Sequence, residues 1–80
     1  MPDKVRIYTV PSCKYCEEAK EYLSRKGIGY TELDVKDNED AALEMFDISG
    51  EVTPPVIKVG NTVIVGFDPL SLDEVFSVSI

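Results

Sequence analysis

The apolar positions of this chain recur with two different periods, and the change of period marks the elements. Lys4 to Val10 (KVRIYTV) is β-rich, with Val5, Ile7 and Val10 apolar, and reads as a first strand. Pro11 and Ser12 break it. From Lys14 to Lys26 the spacing is helical: Cys16, Ala19 and Leu23 recur at i, i+3 and i+7, with Tyr22 beside them. Arg25 and Lys26 suit the dipole of its last turn, and Gly27 closes it. Tyr30 to Val35 (YTELDV) alternates as a half-buried strand does, Thr31, Leu33 and Val35 on one side and Tyr30, Glu32 and Asp34 on the other. A second helix is predicted from Glu39 to Ile48, capped by Asp37 or Asn38 and ended by Ser49 and Gly50. Its stripe is Ala41, Ala42, Met45 and Ile48, joined by Leu43 or Phe46. Val56 to Val59 and Thr62 to Val65 are short β-branched runs around Gly60-Asn61, a two-residue hairpin signal. Asp68-Pro69 then opens a third helix, Asp as N-cap and Pro at the first helical position, with Leu72, Val75 and Phe76 inward.

The order β-α-β-α-β-β-α makes the first two strands parallel, through a right-handed crossover, and the last two antiparallel. The expected architecture is α/β, a four-stranded mixed sheet flanked by three helices, with residues 1–80 as one domain. No linker, repeat or low-complexity segment interrupts it.

Composition narrows what such a domain does. Apolar content of 44% is ordinary for a globular chain. A net charge of −7 argues against nucleic acid or an anionic membrane surface as partner. The surface shows no obvious surplus apolar face, so a monomer is expected. The opening MPDKVRIYTV lacks the pattern of a signal peptide, and no run reaches transmembrane length, so a reducing cytoplasm is the expected compartment. The chain has no histidine, which removes Cys–His catalysis and most zinc sites.

The chemistry then concentrates in TVPSCKYCEEAKEYL, Thr9 to Leu23, which holds the chain's two cysteines. A Cys-x-x-Cys at a strand–helix junction near a βαβ pattern is a redox signature. Cys13 falls at the helix start, where backbone N–H groups lack intrahelical partners, and Lys14 adds a positive charge; both favour the thiolate that attacks disulfides. Glu17 and Glu18 oppose this, so a moderate lowering of the Cys13 pKa is expected. Cys16 lies on the apolar stripe and should be more buried and less reactive. The asymmetry makes Cys13 the nucleophile and Cys16 the resolving thiol. A metal shared with a second chain and an incidental pair are the alternatives, since two thiols alone do not complete a zinc site.

IYTVPSCKYC, TPPVIKVG and VIVGFDP, in this order, resemble glutaredoxin, within the thioredoxin superfamily, over essentially all 80 residues. The likeness is to short bacterial and archaeal glutaredoxin-like proteins. It implies a thioredoxin-like fold and a glutathione-dependent thiol–disulfide oxidoreductase, acting on glutathione mixed disulfides and protein disulfides with no tightly bound cofactor or metal. Cys13 and Cys16 match the family's two cysteines. Tyr15 matches the aromatic of C-P-Y-C and would flank the site, where plain surface packing is the alternative. Thr53-Pro54-Pro55 matches Thr-Val-Pro, which makes Pro55 the cis-proline facing the cysteines, where a stiff turn is the alternative. Gly66-Phe67-Asp68 matches the segment holding the γ-glutamyl end of glutathione, and Asp68 as a helix N-cap is compatible with that.

Three positions depart from the family pattern. Lys14 replaces the usual proline. Val10 stands where many members have a lysine, removing one charge that binds glutathione and stabilises the thiolate; Lys14 replaces it in part. Pro54 has no N–H, so one of the two backbone bonds to the glutathione cysteine cannot form, a loss of about 0.5–1.5 kcal/mol. Weak glutathione affinity follows. Gly66-Phe67-Asp68-Pro69 also resembles the redoxins of ribonucleotide reductase, which take electrons from thioredoxin reductase. The resemblance further admits an iron–sulfur carrier, with a cluster bridged across a dimer by Cys13 of each chain and two glutathiones.

Overall fold

Strand alternation decides the layering. In β1 (Val5–Thr9) the side chains of Val5, Ile7 and Thr9 are buried on one face and Tyr8 on the other, so the sheet is covered on both sides. The computed structural model describes residues 5–51 and 53–77. β1 is followed by α1 (Lys14–Arg25), β2 (Thr31–Asp34), α2 (Glu39–Ser49), β3 (Val56–Val59), β4 (Thr62–Val65) and α3 (Pro69–Ser77). The sheet is four-stranded in the order β2-β1-β3-β4. β1 runs parallel to β2, with Arg6 opposite Thr31, and antiparallel to β3, with Tyr8 opposite Val56; β3 and β4 form the expected hairpin. The fold is the thioredoxin-like α/β arrangement, three helices on a mixed sheet.

Each face has its own core. Val5, Ile7, Ile57 and Ile64 lie under Ala19 and Leu23 of α1 and Leu72 of α3. Tyr8 and Val56 lie under Ala41 and Met45 of α2 on the opposite face. None of the described helices is long and apolar enough to cross a membrane.

The helix ends are set by local chemistry. Of the two residues proposed as cap of α2, it is Asn38 whose side chain accepts the Ala41 N–H at 3.1 Å. Gly50, at φ 72°, ends that helix with its N–H on the Phe46 carbonyl at 2.7 Å. α1 stops at Arg25, with Lys26 as its C-cap rather than inside it. Gly27 (φ 71°) donates to Ser24 O and Ile28 to Leu23 O, the paired bonds of a Schellman motif.

Several boundaries and one face differ from expectation. Val10 lies beyond β1, and Tyr30 and Val35 flank β2 rather than belong to it, although the Val35 N–H still reaches Thr9 O at 2.9 Å. Lys4 lies outside the described residues. Neither Leu43 nor Phe46 joins the stripe of α2; they are 64% and 55% exposed. With about 100° per residue, facing Ala41 and Met45 to the sheet swings Leu43 roughly 200° and Phe46 roughly 100° away. Two apolar side chains that the sequence reading turned inward are therefore exposed on α2.

Candidate active site

The site is built on the first turn of α1. Cys13 is extended (φ −101°, ψ 112°) and is the N-cap: its Sγ accepts the Cys16 N–H at 3.1 Å, and its carbonyl accepts the Glu17 N–H at 3.1 Å. A sulfur here satisfies one of the orphan donors that a Ser or Asp oxygen commonly satisfies. Ser12, immediately before, is held at φ 61°, a left-handed conformation for a residue with a side chain. It reverses the chain from strand to helix at a cost of roughly 1–2 kcal/mol. Cys13 and Cys16 are joined as a disulfide, with Cα atoms 5.2 Å apart. Cys16 is fully buried at the head of the α1 stripe and Cys13 is half-buried, the inequality expected of a resolving and an attacking thiol. Lys14 and Tyr15 project outward from the same turn, and Tyr15 is 61% exposed.

Sheet register brings the other segments to this end of the molecule. Val56 pairs with Tyr8, so Thr53, Pro54 and Pro55 lie beside the point where β1 gives way to the cysteine turn. The Pro54–Pro55 peptide is cis, and Pro55 is buried while Thr53 is exposed. The Pro55 carbonyl accepts the Gly66 N–H at 2.8 Å, tying the two segments together where Gly66 bends at φ 82°. Phe67 packs on the core, its ring edge-on to Tyr22 at 6.2 Å. Asp68 caps α3, accepting the Ser71 hydroxyl at 2.8 Å and, at 3.4 Å, the Ser71 N–H. Among the described residues, Cys, Asp and Glu side chains nowhere gather in threes that could hold a metal ion.

Two polar networks along α1 were missed by the sequence reading. Thr9, only 2% exposed, donates its hydroxyl to Glu32 Oε2 at 2.9 Å, and Lys20 Nζ reaches the same oxygen at 3.0 Å and Glu17 at 3.1 Å. The Lys20 bond, with the Thr9 bond, holds the Glu32 carboxyl below its ordinary value; Glu32 and then Glu17 push Lys20 up. A polar residue in the inward row Val5-Ile7-Thr9 was the available signal. The Tyr22 hydroxyl donates to Asp73, which Lys26 Nζ also meets at 3.4 Å, joining α1 to α3. Nothing in the sequence announces that pairing. A groove of about 790 Å³ lies away from this chemistry, between α2 and β2.

The Glutaredoxin family model matches residues 5–64. The chain belongs to the glutaredoxin family. An uncharacterized glutaredoxin-like 8.6 kDa protein in the rubredoxin operon of Clostridium pasteurianum is 34% identical over 70 residues, spanning 88% of this chain and 93% of that one. Glutaredoxin 3 of Escherichia coli K12 is 41% identical over 66 residues, spanning 82% and 80%. Among solved structures, a mutant of the thioredoxin-like protein BC3987 superposes with a TM-score of 0.89 at 25% identity, covering 96% of this chain and 99% of that one. This is a redox protein of the glutaredoxin and thioredoxin type with a Cys13–Cys16 pair, and thiol–disulfide oxidoreduction is the general chemistry of glutaredoxins.

Proposed function

We propose that the protein is a glutathione-dependent thiol–disulfide oxidoreductase working in the cytoplasm on glutathione mixed disulfides and protein disulfides. The observation that carries this reading is the Cys16 N–H aimed at Cys13 Sγ at the N-terminus of α1. A donor in that position stabilises a sulfur anion, both as attacking thiolate and as leaving group.

In the reductive direction the Cys13 thiolate attacks a substrate disulfide. A Cys13–substrate disulfide forms, and the other substrate sulfur leaves as a thiolate that takes up a proton. The Cys16 thiol, losing its proton, attacks Cys13 Sγ and releases the reduced substrate, leaving the Cys13–Cys16 disulfide. Two glutathione thiols then restore the dithiol: one opens the disulfide and the second removes it as glutathione disulfide. Lys14 supports the Cys13 anion. Tyr15, Thr53, Pro54, Pro55, Gly66, Phe67 and Asp68 form the glutathione-facing rim in this proposal. Pro54 cannot donate the backbone bond that the glutathione cysteine would accept.

That missing donor favours a second reading, a redoxin fed by thioredoxin reductase. The deciding experiment follows NADPH consumption during reduction of a small glutathione mixed disulfide, with glutathione and glutathione reductase in one arm and thioredoxin reductase in the other. Turnover in the first arm alone supports the proposal. Turnover in the second arm alone replaces it with the redoxin reading. A coloured, dimeric protein on anaerobic purification would instead point to iron–sulfur cargo.

A further inference from the structure

The sheet face opposite the cysteine helix carries a feature that disulfide chemistry does not use. α2 buries Ala41 and Met45, packs Ile48 partly against the same core, and leaves Leu43 and Phe46 64% and 55% exposed. They stand three residues apart, neighbours on one helix surface. Beside them the groove of about 790 Å³ is floored by Leu33 and Thr31 of β2. Among the described residues β2 is an outer strand of the sheet, and one row of its backbone groups faces no neighbouring strand there. Leu33 and Thr31 are alternate residues on the α2 face, so an extended chain laid along β2 would direct alternate side chains into this groove.

Charge says what kind of chain fits. α2 contains Glu39, Asp40, Glu44 and Asp47 and no basic residue. Arg6 at the groove is already taken by Glu44, which accepts both its bonds at 2.9 and 3.0 Å. Asp40 and Asp47 line the groove and have no cationic partner among the described residues. Asp47 lies in the last turn of α2, where the helix dipole disfavours an anion. Exposed aromatic and aliphatic groups with an unfavourably placed acid oppose stability on three counts, the pattern of a surface kept for a partner. A second copy of this chain would bring the same acids face to face.

We propose that the α2–β2 groove docks an extended, cationic segment of a partner protein, one apolar side chain seated against Leu43 and Phe46 and flanking Lys or Arg residues on Asp40 and Asp47. The segment lies along β2 and leaves the cysteine turn, on the other face of the sheet, open.

The test is a titration of isotope-labelled protein with a blocked peptide of alternating Lys and Leu, with a Glu–Leu peptide as control, followed by amide chemical shifts. The Lys–Leu peptide is expected to shift α2 and β2 amides and to weaken with salt; the Glu–Leu peptide is expected to do neither. Leu43→Ser with Phe46→Ser, both exposed positions, should weaken binding about tenfold or more with the charges intact. Asp40→Asn with Asp47→Asn should weaken it separately. Mixed-disulfide turnover should be unchanged in either pair. Shifts scattered over the acidic surface, or binding indifferent to the serine pair, would overturn the groove. Dimerisation in sedimentation, lost in the serine pair, would overturn the cationic partner in favour of a second copy.

Discussion

Cys13 shows how much one residue's position decides. As N-cap it receives a backbone N–H on sulfur, and Cys16, one turn on, is sealed beneath it. Cys13→Ser is expected to drop mixed-disulfide turnover to the uncatalysed background, and retained turnover would sink the role assignment. Cys16→Ser should spare reduction of glutathione mixed disulfides and impair protein disulfides; equal loss of both would exclude a route through Cys13 alone. The cap position of Cys13 and the burial of Cys16 were legible because a cap position and an apolar stripe are local properties. Gly66 is a different case. At φ 82° a side chain is strained, yet a Cβ there meets no atom within 4 Å, so Gly66→Ala tests the backbone alone. It should cost about 1–2 kcal/mol in urea unfolding; an unshifted midpoint would show that the Gly66–Asp68 segment relaxes freely.

At the scale of elements, two side-chain ties hold α1 in place, and each has a pH signature. Glu32 is held below its ordinary 4.5, chiefly by the Lys20 hydrogen bond. A carboxyl lowered in the fold contributes stability above its unfolded value and loses it as pH falls through the folded one. Because the pair is partly exposed, at 21% and 41%, its share is under about 1 kcal/mol. Glu32→Gln should flatten the acid limb of melting temperature against pH, and an unchanged limb would show the tie to contribute nothing. Tyr22 is pushed from 10.0 up to about 12, by burial first and then by the bond to Asp73. The fold favours its protonated form, so that contribution is complete below pH 10.0 and is lost as pH rises through about 12. Tyr22→Phe should remove this alkaline slope, and a slope that persists would assign it to other groups. The helices and strands were read closely from sequence; these ties were not, because Tyr22 and Asp73 are separated by 51 positions.

The whole molecule places two small cores on one sheet. Leu23 belongs to the core under α1 and α3, and Met45 to the one under α2; both are nearly inaccessible to solvent. Ile7 and Tyr8 are adjacent in β1 and face opposite cores, so neither layer can loosen without releasing the strand that the other needs. Leu23→Ala and Met45→Ala should each cost about 2–5 kcal/mol. In each variant, tertiary and secondary structure should be lost in one coincident transition. Separate transitions in near- and far-ultraviolet circular dichroism would mean that the layers unfold independently.

What the sequence by itself determined was everything set within a few residues. The order of elements, the Asp68 and glycine caps, a cap for α2 at Asp37 or Asn38, the Gly60-Asn61 hairpin and the unequal cysteines all follow from periodicity, dihedral preference and orphan N–H groups. The tertiary structure alone decided which helix surface met the sheet. Turning α2 onto Ala41 and Met45 exposed Leu43 and Phe46, although an apolar run does not say which of its members will be covered. The register of β1 with β2 and β3 likewise brought Glu32 to Thr9 and Pro55 to the cysteine turn. Contacts between distant positions depend on how packed surfaces settle against one another, and that balance is struck only in the assembled fold.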